Sequence, residues 1–190
     1  MRTSGLVVVG AGLVLQVGYA LAGVVPGAIP LVVAASIVVL AGCVLALGDK
    51  LKVVAGWVTA VLLAVLFAGA VADRFGLLGE PGAAGVVWGD WAAFVGYTGE
   101  LMPWAPGWLV EISAAGATVA EIVLVMWLVS GWARAYAGMA AAALLVVFLV
   151  SMTATVGLAA VASNAVVVLL GGALLIAVTP ARSASVHPVG

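Results

Sequence analysis

Four stretches almost empty of charge constrain this chain more than anything else in it. Residues 5–48, 53–72 and 135–181 contain no Asp, Glu, Lys or Arg, and 112–133 contains only Glu121. A helix covers the hydrocarbon core of a bilayer with about 20 apolar residues, so each stretch is long enough to cross at least once. A water-soluble domain carries charge on roughly a quarter of its residues. Here charged residues make up 7% of 190. The chain therefore reads as an all-α, polytopic transmembrane helical bundle. The same figures exclude intrinsic disorder, which needs low hydrophobicity and high charge. They also exclude nucleic-acid binding, because the net charge is −1 and no Lys/Arg run occurs.

The first stretch has room for two crossings, with Pro26, Gly27 and Pro30 at the position of a turn. The stretch 135–181 divides in the same way near Gly157 to Asn164. Six spans result, at about 5–25, 28–48, 53–72, 108–131, 135–156 and 160–179. They group into an N-terminal transmembrane hairpin (1–50), a four-helix membrane domain (51–182) with an external loop (73–107), and a cytoplasmic tail (183–190). Basic residues gather on the cytoplasmic side of a membrane. With both termini cytoplasmic, Arg2, Lys50, Lys52, Arg134 and Arg182 share that side and only Arg74 falls on the other. Ala20-Leu21-Ala22 has the small-x-small form of a signal-peptidase site. The apolar run before it is longer than a typical signal core, so the first helix is expected to be retained.

The external segment 73–107 stands apart. It holds Asp73, Glu80, Asp90 and Glu100 with eight glycines and three prolines, and loops of this length are often functional. Trp88, Trp91, Val95, Thr98 and Leu101 or Met102 recur at three- and four-residue spacing. That period predicts a short amphipathic helix in the membrane interface, ended by Pro103. Trp104 and Trp108 then belong to an aromatic belt at the start of the fourth span. These tryptophans read either as headgroup anchors or as a lid over a cavity open to the outer leaflet. In that second reading Arg74, Asp90, Trp88 and Trp91 form the external interface.

Glu121 is the sharpest feature. It lies about ten residues from the inner end of the fourth span, near the bilayer centre at about 1.5 Å per residue. A carboxylate there costs at least about 2.5 kcal/mol, so it is expected to face the bundle interior, protonated or paired with a donor. Thr118, one turn earlier, can hydrogen-bond to it. Gln16, Ser151, Thr153, Ser163 and Asn164 are candidates for the same interior. Glu121, Thr118, Ser163 and Asn164 form a candidate polar pocket for a quinone headgroup or a proton. The plainer reading is interhelical hydrogen bonding worth about 0.6–2 kcal/mol. Asp73 and Arg74 mark the outer end of the third span, from which Arg74 could reach Glu111. Gly18 with Ala22, Gly138 with Ala142, and Gly171-Gly172 fit close helix approach.

Other chemistry is not visible. Cys43 is the one cysteine and His187 the one histidine, the latter outside any apolar segment. No disulfide, metal cluster, haem ligation or catalytic triad can be assembled from them. No intrinsic cofactor is expected.

Arg74-Phe75-Gly76, Pro81-Gly82, Trp88-Gly89-Asp90-Trp91, Phe94 and Tyr97-Thr98 resemble the DoxX-like membrane proteins. Ala117-Thr118 with Glu121, then Arg134, Met152 and Gly157, continue the likeness over about residues 55–178. It implies a small bacterial protein of the cytoplasmic (inner) membrane with a DoxX-like four-helix core, here preceded by the N-terminal hairpin. It also implies a membrane subunit or anchor of a quinone-linked redox complex, with oxidoreductase subunits or quinone as partners and a homo-oligomer left open. Arg74, Asp90, Thr118 and Glu121 are the positions it carries over, without a catalytic label. Two other functions fit the residues: a small-molecule or proton-linked carrier using Glu121, and a membrane scaffold or assembly factor without catalysis.

Overall fold

A computed structural model describes residues 2–23, 36–37, 40–41 and 49–179. The second span at 28–48, the turn at Pro26 to Pro30, Cys43, and the tail with Arg182 and His187 lie wholly or mainly outside them. The described residues are helical: α1 (Arg2–Leu21), α2 (Asp49–Arg74), α3 (Trp91–Leu101), α4 (Gly107–Ser130), α5 (Arg134–Thr155), α6 (Leu158–Ser163) and α7 (Val166–Val178). Among them, α1, α2, α4 and α5 are long and apolar enough to cross a membrane.

Glycines fix how the helices meet. A methyl on Gly12 would lie 2.8 Å from the backbone N of Val168, and one on Gly5 would lie 3.3 Å from Leu175. So α1 runs antiparallel to α7 almost backbone to backbone. Gly138 packs equally tightly on Ala173 and Ala177, Gly56 lies against Thr179, and Gly131 lies against Trp57. The starts of α1, α2 and α5 therefore share one end of the bundle with the ends of α4 and α7. The loop 75–90 sits at the opposite end. Gly138 and Gly171 play the packing role expected of them, whereas Gly18 faces open space.

The polarity of the bundle is inverted relative to a soluble fold. Val58, Val61, Val65, Val119, Ile122, Val123, Met126, Val146, Val147 and Val150 are exposed, while Gln16, Asp73, Arg74, Thr118, Glu121 and Arg134 are buried. Such a surface is stable only in an apolar solvent, so the chain is a helical membrane protein. Trp108 and Trp127 lie 19 residues apart on α4, about 28 Å of helix, which matches the hydrocarbon thickness.

The expected span at 160–179 is not continuous. It breaks into α6 and α7 at Asn164 and Ala165, and Ala165 adopts φ 53. The Asn164 side-chain amide donates to the carbonyl of Ala160 at 2.9 Å, which ends α6 locally. Gly157, at φ 88, turns the chain between α5 and α6.

Candidate functional site

Asp73 and Arg74 close α2 and are nearly fully buried, at 3% and 2% exposure. They hold the external segment in different ways. Asp73 Oδ2 accepts from the backbone N–H groups of Val87 (3.0 Å) and Trp88 (2.9 Å). The loop thereby folds back onto the helix end. Gly89, at φ 75, then lets the chain pass so close to Pro81 that a methyl there would lie 2.8 Å from the Pro81 Cα. Asp90 accepts from Ala93 N at 2.7 Å and caps α3. Its role is local: it is exposed and starts the helix.

The helix α3 is the element expected before Pro103, and its buried face is centred slightly to one side of the expected stripe. Thr98, a member of the stripe that the spacing suggested, is buried, but the other buried residue is Phe94 beside that stripe, while Trp91 and Val95 are half-buried. The cause is Arg74, whose guanidinium carbon lies 3.8 Å from the Phe94 ring centroid and 5.2 Å from that of Trp88. Trp88 meets Phe94 edge-on at 5.1 Å, and Trp91 stacks on Phe75 at 5.9 Å. Phe94 and Trp88 thus form an aromatic cover over a cation.

Beneath that cover Arg74 turns inward to α4. One guanidinium nitrogen donates to Glu121 Oε1 at 2.8 Å and the other to Thr118 Oγ1 at 3.0 Å. The buried stripe of α4 runs Val110, Ala114, Thr118, Glu121, Leu124 and Leu128, so helical spacing alone aims both polar groups at α2. Two expectations are corrected here. Arg74 does not meet Glu111, which is exposed at the mouth of α4; it meets the buried carboxylate, which needs a counter-charge far more. Thr118 does not donate to Glu121. Its hydroxyl donates to the carbonyl of Ala114 at 2.9 Å and accepts from Arg74.

Ser163 and Asn164 do not join this cluster. They line an open cleft of about 530 Å³ together with Trp88, Tyr97 and Glu100. Their side chains donate to Ala159 and Ala160 within α6. Thr153 is exposed and Ser151 half-buried, so neither reaches the interior fully. Gln16 is buried, with neither amide atom partnered among the described residues. At the other end, Arg134 lies 5.7 Å from the Trp57 ring.

Four further buried side-chain atoms on the ion pair or on residues beside it have no hydrogen-bond partner among the described residues: Arg74 Nε, Glu121 Oε2, Trp88 Nε1 and Asp73 Oδ1. Among the described residues no three His, Cys, Asp or Glu side chains converge as a metal site. Phe94 and Tyr97 enter the sequence reading only through the family resemblance, which gives them no role, and the loop-holding role of Asp73 is absent from it. Nothing in the sequence marks Phe94 as a seat for a cation. No protein-family model, no curated protein sequence and no solved structure matches this chain.

Proposed function

We propose that the chain is a DoxX-like, six-span protein of a bacterial cytoplasmic membrane, with both termini cytoplasmic. It serves as the membrane subunit or anchor of a redox complex, and its Arg74 cluster receives the headgroup of a quinone. The observation that carries this reading is the set of unpartnered atoms. Among the described residues, two donors, Arg74 Nε and Trp88 Nε1, and two acceptors, Glu121 Oε2 and Asp73 Oδ1, are buried without a hydrogen-bond partner on the ion pair or on residues beside it. Buried polar atoms are normally satisfied, so an oxygen-bearing headgroup or ordered water belongs among them. A quinone or quinol offers carbonyl or hydroxyl oxygens on a flat ring, which suits donors flanked by the Trp88 and Phe94 rings.

Six spans are supported by the alternation of the described helices. The helix α1 ends at the end of the bundle that carries the loop, α2 begins at the other, and Ile37 packs beside Gly172 between these levels. The DoxX likeness rests on the quoted residues, of which Arg74, Thr118 and Glu121 form one cluster. A carrier that moves protons on Glu121 would have to break its 2.8 Å bond to Arg74 in every cycle, which disfavours that reading.

The test is mass spectrometry of the chain gently extracted from its native membrane. Stoichiometric quinone or an oxidoreductase subunit is expected, with the quinone lost from Arg74→Met. Ordinary lipids alone would overturn the reading, and proton-coupled uptake in proteoliposomes would favour the carrier instead.

A further inference from the structure

The cleft beside the Arg74 cluster has a chemistry of its own. It opens between α3 and the junction of α6 and α7, and Glu100 is the one charged residue among its lining residues. Trp88 and Tyr97 form adjacent walls, their ring centroids 6.1 Å apart and their planes inclined by 53°. Ser163 and Asn164 are among its other lining residues. The charge around it is also one-sided. Asp73, Glu80, Asp90, Glu100 and Glu111 all lie in 73–111, where the one basic residue is Arg74. That guanidinium is already neutralised by Glu121 at 2.8 Å.

Those features discriminate between ligand classes. An anion would meet the Glu100 carboxylate with no free counter-charge. A neutral apolar molecule would leave that carboxylate unpaired beside it. A cation gains from both aromatic rings and from the carboxylate, and the acidic outer face raises its local concentration. Arg74 lies over the Trp88 ring, so Tyr97 is the freer of the two aromatic walls. Burial, and then the neighbouring Glu100, raise the Tyr97 pKa above its ordinary value, which agrees with a neutral phenol beside a carboxylate.

We propose that this cleft binds an organic ammonium group, seated against Tyr97 and Trp88 and neutralised by Glu100. The site needs neither a quinone nor a partner subunit, so it stands or falls apart from the function proposed above. Two sources share the chemistry, the choline headgroup of a lipid and a free amine on the outer side of the membrane.

The experiment titrates tetramethylammonium chloride into the full chain in non-ionic detergent, reading tryptophan fluorescence against potassium chloride of equal ionic strength. A saturable response absent with potassium is expected. Glu100→Gln and Tyr97→Leu should each weaken it by roughly fivefold or more, and Glu111→Gln, which removes the same charge outside the cleft, should weaken it by less than about twofold. Thermal unfolding of each variant shows that it has folded. An undiminished titration in folded Glu100→Gln, or an equal response to potassium, would overturn the proposal. Repeating the titration in phosphatidylcholine and phosphatidylglycerol vesicles separates the sources. Loss of the response only with phosphatidylcholine identifies a lipid headgroup as occupant, and an equal response in both identifies a free amine.

Discussion

Removing Arg74 should cost this bundle more than any other single substitution outside its apolar core, and removing Glu121 with it should restore most of the loss. Arg74 and Glu121 are 2% and 1% exposed and 2.8 Å apart. Arg74→Met leaves the Glu121 carboxylate with no donor, and breaking one partner of a buried pair typically costs about 3–5 kcal/mol. Glu121→Leu strands the guanidinium, which keeps Thr118 and Phe94 but loses its counter-charge, so a loss of about 3 kcal/mol is expected there. The double variant removes both charges. The Thr118 hydroxyl still donates to Ala114, so the remaining loss is the contact of the cation with Phe94, about 0.5–2 kcal/mol.

The coupling energy of this cycle should therefore be about 3 kcal/mol or more in favour of the pair. Reversible unfolding in mixed detergent micelles, followed by tryptophan fluorescence, measures it directly. Single variants whose losses simply add, to within about 0.5 kcal/mol, would refute the reasoning. The pair would then be geometrically close but energetically independent, and the cluster would have to be explained without it.

Four further outcomes follow from particular contacts. Gly138→Val should destabilise the bundle by at least about 1–3 kcal/mol, because its Cβ would lie 2.7 Å from Ala177 N and 2.8 Å from Ala173 O; the same unfolding assay reads it. Asp73→Asn replaces the carboxylate that holds Val87 and Trp88, so proteolysis within 75–90 should accelerate severalfold while the bundle stays intact. The raised Tyr97 pKa means the folded chain keeps the phenol proton longer than the unfolded one. Its contribution is complete below the ordinary value of 10.0 and is lost as pH rises through the raised value; ultraviolet titration of Glu100→Gln should show the phenol ionising at lower pH. With Cys43 replaced by Ala, a membrane-impermeant maleimide should label Ala83→Cys in intact cells and leave Ser130→Cys unlabelled, and the reverse pattern would invert the orientation.

The spans were the legible part of the fold. Charge-free runs record the energetic demand of the bilayer directly, and helices at Asp49–Arg74, Gly107–Ser130 and Arg134–Thr155 fall within a few residues of the runs that predicted them. The break in the last span was less visible. Ala165 is an ordinary helix former forced to φ 53, and neither proline nor glycine marks the position. What ends α6 is the Asn164 side chain bonding back to Ala160, a local competitor for backbone hydrogen bonds that reads in sequence as one more polar residue.

The sequence brings Glu121, Thr118 and Arg74 forward but also puts Ser163 and Asn164 in the same pocket, where they do not lie, and electrostatics explains the pairing that it misses. Glu121 had to face inward with a proton or a donor, and that requirement follows from the bilayer alone. The identity of the donor does not, because Glu111 and Glu121 lie on the same helix and sequence distance favoured the nearer. Desolvation decides between them. Exposed Glu111 is already solvated by water and headgroups, so pairing it with Arg74 would gain little. Glu121 has no solvent, so Arg74 must extend inward past the mouth of α4 to reach it. An arginine that extends inward exposes its own flank at the outer end, and the aromatic cover of Phe94 and Trp88 meets that need. On this view α3 is held in place because the carboxylate is buried. Replacing both charges should therefore loosen α3 even where it leaves the four long helices in place, which hydrogen exchange along Trp91–Leu101 can measure.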